Sequence, residues 1–137
     1  MSNMWGRAII IVVGSAVLGS AVATLAFNLL FFGAWSPEEF RCLFGLFGGS
    51  LFFSITGSLF LTYIYGYVRE NYASLFLAYA AVFVGGCLVG AAIMVVFSDL
   101  QSPVLGAGYG AATGLFWIIL HRLTEVSASE RQSVSIQ

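Results

Sequence analysis

Lysine is absent from this 137-residue chain, and charge of either sign is scarce. Five arginines and six acids leave a formal net charge of −1, with charged residues at 8% of the whole. A soluble domain is nearer a quarter charged. Without a basic surface nothing here can neutralise a phosphate backbone, which excludes a nucleic-acid partner. Histidine occurs once, and cysteine and proline twice each. One His, no CxxC and no acidic cluster at helical spacing give no metal-ligand set. A Gly-rich phosphate loop, a nucleophile elbow and an HExxH pattern are all missing. No enzyme is therefore expected, and no cofactor.

Hydrophobic residues are abundant, at 60%, and the mean hydropathy is +0.97. That balance is expected of an integral membrane protein. A membrane helix needs roughly 20 mostly apolar residues to cross about 30 Å of hydrocarbon. Four runs qualify or come close: 8–32, 42–68, 73–97 and 104–120, each free of Asp, Glu, Lys, Arg and His. Barrel strands are about half that length and alternate apolar with polar residues; these runs do not alternate. The connecting segments are short, so sequential helices should be antiparallel neighbours. The expected fold is all-α: one transmembrane domain over 1–123, an antiparallel four-helix bundle, followed by a polar, Ser-rich, mobile tail over 124–137. Ala21-Val22-Ala23 fits a small-x-small signal cleavage pattern, but the apolar run continues through Phe32, so an uncleaved first span is expected.

Orientation follows from the arginines. Arg7, Arg69, Arg122 and Arg131 fall on one side of the spans and Arg41 on the other. The positive-inside rule then places both termini in the cytoplasm, with a bacterial inner (plasma) membrane as the expected location. Tyr63, Tyr65, Tyr67 and Tyr72 cluster at the inner ends of spans two and three, with Trp5 and Trp117 near the same level and Trp35 at the outer one. An interfacial aromatic belt accounts for all of them. His121, beside Arg122, suits the C-terminal end of span four.

The two cysteines are not expected to pair. Cys42 opens span two, whereas Cys87 lies about ten residues before the end of span three, roughly 15 Å deeper. A disulfide needs Cα atoms within about 7 Å. Glu38 and Glu39 follow Ser36-Pro37, a helix-start signature with Ser36 as N-cap and Glu39 as its capping-box partner. The acid pair is thus expected to cap span two rather than to act as a catalytic dyad.

Lines of small and hydroxylated residues carry the most information. Membrane helices associate through close backbone approach and hydrogen bonds at such positions, and residues four apart share a helix face. Span two has Ser50, Ser54, Ser58, Thr62 and Gly66, with Gly45 and Gly49 on a second line. Span one has Ala16, Ser20, Thr24 and Asn28. Span three has Gly86 and Gly90, and span four has Gly106, Gly110 and Gly114. The glycines are candidate packing or partner faces, span four above all. Ser20, Thr24, Asn28, Ser50, Ser54, Ser58, Thr62, Tyr109 and Thr113 form a candidate polar groove. Asn28, the most polar residue inside any span, is expected to bond across to Ser50 or Tyr109.

The four-span plan resembles that of small multidrug exporters, dual-topology fluoride channels and a flippase-like family for polyprenyl-phosphate sugars. The embedded Glu of the first is absent, the arginine bias does not suit the second, and no motif of the third is present. Membrane immunity proteins against toxins share the plan and have no motif to match.

Two functions follow as expectations. One is a non-enzymatic protein acting by helix–helix association with another membrane protein or itself, as an accessory or assembly subunit or an immunity-type protein. The other is a small oligomeric transporter or flippase for a neutral or lipid-linked solute, using the hydroxyl lines. Proton coupling through a buried carboxylate or histidine is not expected, since no span holds one.

Overall fold

A computed structural model describes the backbone of residues 2–31, 37–97 and 103–134, and side chains within 5–30, 45, 47–96 and 103–126. Among these every regular element is a helix: α1 (Ser2–Phe31), α2 (Pro37–Tyr72), α3 (Leu75–Phe97) and α4 (Pro103–Val134). Each of the four is long and apolar enough to cross a membrane, which is consistent with an integral membrane protein.

The helix boundaries have local causes. Both α2 and α4 open on proline, where the missing N–H is one the first turn would leave unbonded and the fixed φ is already helical. The expected caps Ser36, Glu38 and Glu39 lie outside the residues whose side chains are described, as does Asp99. The α2–α3 connection is tighter than the expected 69–72 segment, because helix continues to Tyr72 and only Ala73 and Ser74 turn the chain. Ala73 adopts a left-handed φ of 51°. Its N–H donates to the Arg69 carbonyl at 3.2 Å, and the Arg69 guanidinium donates to the Ala73 carbonyl at 2.6 Å. Ser74 then caps α3, its Oγ accepting from the Leu77 N–H at 3.3 Å. At the other end α4 runs well past the expected end of span four at Leu120. Backbone over 124–134, in the segment expected as a mobile tail, is helical; no glycine or proline interrupts it.

α1 packs beside α2 and α4, and α3 beside the same two helices. α2 and α4 also meet across the middle, while the described parts of α1 and α3 do not touch. Burial is inverted relative to a soluble bundle. α1 buries Ser15, Ser20, Thr24 and Asn28, and exposes Ile9, Ile10, Val17, Leu18, Leu25 and Leu30. Such a distribution suits hydrocarbon as the outer solvent, because apolar side chains gain nothing by leaving lipid whereas polar ones must find partners within the protein. A compact apolar core does exist towards one end, formed by Ile11, Leu61, Val82 and Trp117 with Ile64, Tyr65, Tyr79, Ile118 and Leu120 packed around it.

Candidate functional site

Three features of the interior use the small and hydroxylated residues. The first is the seam between α3 and α4. Gly86 faces Gly110, and Gly90 faces Gly106, so closely that a Cβ on any of the four would overlap the opposing backbone. Gly114 continues the line against the Val82 carbonyl. Only hydrogen as a side chain permits this approach, which is the physical basis of the glycine line in each helix. The span-four glycines that could have served as an external dimer face are thus covered by α3 of the same chain. A second close crossing joins α1 to α4, where Gly19 abuts the backbone of Thr113.

The second feature is a hydroxyl ladder through α1, α2 and α4. Ser15 Oγ donates to the Val12 carbonyl at 3.1 Å and lies 3.0 Å from Ser58 Oγ. Having spent its proton on Val12, Ser15 must accept from Ser58. Ser20 donates to Ser54 at 2.9 Å, and Thr113 donates to the same oxygen at 3.4 Å. Thr24 pairs with Tyr109 at 2.9 Å. Thr62 donates to the Ser58 carbonyl at 2.9 Å and accepts from the Trp117 indole at 3.1 Å. Eight of the nine candidate groove residues are therefore hydrogen-bonded, Ser50 through the Phe47 carbonyl of its own helix at 2.9 Å.

At Asn28 it is the amide nitrogen that lacks a bond. The residue is 1% exposed, yet its Nδ2 has no hydrogen-bond partner among the described residues. Its N–H groups do not make the expected bond to Ser50 or Tyr109; Tyr109 pairs with Thr24, and Ser50 donates to the Phe47 carbonyl.

The third feature is a lateral cavity of about 290 Å³ bounded by α2, α3 and α4. Its walls are mostly apolar, with Phe53, Val89, Ile93 and Met94, and Ser50, Ser54, Tyr109 and Thr113 supply the polar atoms. Gly45, Gly49 and Gly57 line its α2 side. A Cβ at Gly45, Gly48 or Gly49 would meet nothing within 4 Å. The cavity thus has a simple origin. α3 and α4 are drawn together by their glycines, and α2 presents glycines where side chains would otherwise fill the remaining gap.

At the opposite end lies a cluster of rings. His121 stacks on Trp117 with centroids 4.9 Å apart and planes at 13°. Tyr65 covers His121 at 4.4 Å, and the Tyr79 hydroxyl lies 3.3 Å from His121 Nδ1. Trp117 is 1% exposed and so belongs to the core, not to the expected belt. Tyr63 and Tyr67 are exposed on the outer face as a belt requires. Tyr65, two residues from each and so turned by about 200°, points inward. Cys87 carries a free thiol; the Cys42 side chain lies outside those described. Among the described residues no three His, Cys, Asp or Glu side chains come together.

Two participants were not singled out in the sequence, Gly19 and Ser15. Both were detectable, since Ser15, Gly19 and Ala23 form a second line of small residues four apart on α1. The pairing of Trp117 with Thr62 had no such signal. No family model, characterised protein or solved structure matches the chain.

Proposed function

We propose that this is a non-enzymatic integral membrane protein that acts by helix–helix association, with α2 as the receiving helix. The observation that carries the reading is the unfilled glycine edge Gly45, Gly48 and Gly49 beside the lateral cavity. The small-residue line of α3, and that of α4, is consumed within the chain. The α2 edge is backbone exposed at glycine with no neighbour among the described residues, the kind of surface that a second transmembrane helix packs against. The partner is a membrane helix of another protein, or α2 of a second copy. An accessory or assembly subunit, or an immunity-type inhibitor of a membrane-active toxin, would work in this way.

The bundle is antiparallel in this reading. The pairs Ser15–Ser58 and Ser20–Ser54 support it, since one residue number falls as the other rises. Both termini lie in the cytoplasm, supported by the arginine distribution, and the membrane is the bacterial inner membrane.

The alternative is an oligomeric transporter or flippase for a neutral or lipid-linked solute. The cavity itself favours it. The pairing of the hydroxyls speaks against it, because a solute path needs donors and acceptors that are not already satisfied.

A photo-crosslinking residue at Gly48 tests the proposal in native membranes. One defined protein adduct, or a dimer adduct, is expected there, with lipid adducts alone from a control at Leu30 on the exposed face of α1. Lipid adducts at both positions, together with solute flux in liposomes that contain the purified chain, would replace association by transport.

A further inference from the structure

We propose a second, separate site: a pocket for the phosphate of an anionic lipid headgroup, centred on Arg7. An open-sided cavity of about 190 Å³ is lined by Arg7, Ala8 and Ile11 of α1, Thr62 and Tyr65 of α2, and Trp117 and His121 of α4. Its depth is that of a headgroup. Arg7 lies just inside the start of the apolar stretch Trp5–Leu30, and Tyr65 and His121 lie within the last turns of Phe47–Tyr72 and Pro103–Val126. At 1.5 Å per residue all three are within about 10 Å of the ends of their stretches.

The electrostatics call for an anion. The Arg7 guanidinium is always charged, and the residue is half-buried. Among the described residues no carboxylate pairs with it; the one ion pair at this end joins His121 Nδ1 to Glu125 at 3.8 Å. Glu125 does not line the cavity. Arg122 is likewise outside it, lying over the Tyr79 ring at 5.5 Å. Two of the other polar groups that line the cavity already have partners. Trp117 donates to Thr62, and His121 Nδ1 meets the Tyr79 hydroxyl. The Arg7 guanidinium is a partly desolvated fork of N–H donors with no counter-charge among the described residues, and a half-buried charge without one is costly. A phosphate fits such a fork with two parallel charge-assisted bonds. Basic pockets between transmembrane helices are where anionic headgroups bind. His121, stacked on Trp117 and met at a tilt by Tyr65, forms one wall of the cavity. Exposed Ile9, Ile10 and Val13 on α1 offer a surface along which acyl chains can run.

The test uses the full chain in nanodiscs of phosphatidylcholine, titrated with phosphatidylglycerol, with the Trp117 indole N–H resonance as reporter. A saturable shift is expected. Arg7→Gln should weaken it by about tenfold or more, as for loss of a charge-assisted bond pair. Arg7→Lys, which keeps the charge and the fold but not the fork, should fall between. Arg122→Gln should leave it unchanged. Inorganic phosphate added to pure phosphatidylcholine discs separates the sources. No shift assigns the site to the lipid, and a saturable Arg7-dependent shift assigns it to the free anion. Absence of a saturable shift with either probe overturns the proposal. So does equal weakening by Arg7→Gln and Arg122→Gln, the signature of diffuse attraction to a charged surface.

Discussion

At the scale of single residues, two positions carry an identifiable cost. Ala73 holds a left-handed φ of 51°, a region that costs a residue with a Cβ roughly 1–2 kcal/mol. Ala73→Gly removes that cost and retains the Arg69 contacts, which are made by backbone atoms of residue 73. A stability gain of up to about 1 kcal/mol is expected, read as a higher midpoint in denaturant titration in mixed micelles. Asn28 holds a buried Nδ2 without a partner among the described residues, and an unsatisfied buried group costs about 1–3 kcal/mol. Asn28→Leu has similar bulk and nothing to satisfy, so it should be neutral or stabilising by about 1 kcal/mol in the isolated protein. A loss of more than that would mean the amide is bonded after all. The importance of Asn28 was legible in the sequence as a lone amide in an apolar run, but its lack of a partner was not. Thr24 is one helical turn from Asn28, and the depth of α4 against α1 brings the Tyr109 hydroxyl to Thr24.

At the scale of elements, glycines that look alike in sequence play opposite parts. Gly86, Gly90, Gly106 and Gly110 allow two backbones to touch, whereas Gly45, Gly48 and Gly49 meet none of the described residues. Alanine distinguishes them. Gly110→Ala places a methyl on the Gly86 carbonyl; backbone cannot step aside as a side chain can, so a cost at the upper end of about 1–3 kcal/mol is expected. Gly49→Ala meets nothing and removes a helix-interior glycine, so stability should hold or rise by up to about 1 kcal/mol. Both are measured by the same unfolding titration. A destabilised Gly49→Ala would mean that α2 is already packed against something at that edge. The existence and type of all four helices could be read from run length and composition. The start of α2 at Pro37 was marked by its Ser-Pro signature, but the C-terminal ends of α2 and α4 could not be read, because both continue through polar residues where apolar content stops being a guide.

At the scale of the whole molecule, the inverted burial and the arginine distribution act together. Apolar side chains cover the outside and hydroxyls are tied to one another within. Such a chain can be oriented only by its few charges. In a background with both cysteines replaced, single cysteines at Ser2, Ser74 and Ser127 are expected to react with an impermeant maleimide from the cytoplasmic side alone, in inverted vesicles and not in intact cells. Labelling of Ser74 in intact cells would reverse the orientation, and labelling of Ser2 and Ser127 from opposite sides would end the four-span topology.

Composition and run length by themselves determined that this chain is helical and suited to a bilayer. Twenty apolar residues without a charge have no other means of satisfying their backbone. The four-residue lines of small side chains also marked the faces at which helices can approach closely, because that spacing survives any arrangement of the bundle. What only the tertiary structure decided is which lines meet. The α3 and α4 glycines found each other, the α1 hydroxyls found those of α2 and α4, and the glycine edge of α2 was left beside a cavity. Such pairings depend on the relative depth and rotation of neighbouring helices. Depth and rotation are set by the summed packing of the whole bundle, a quantity that no single stretch of sequence contains.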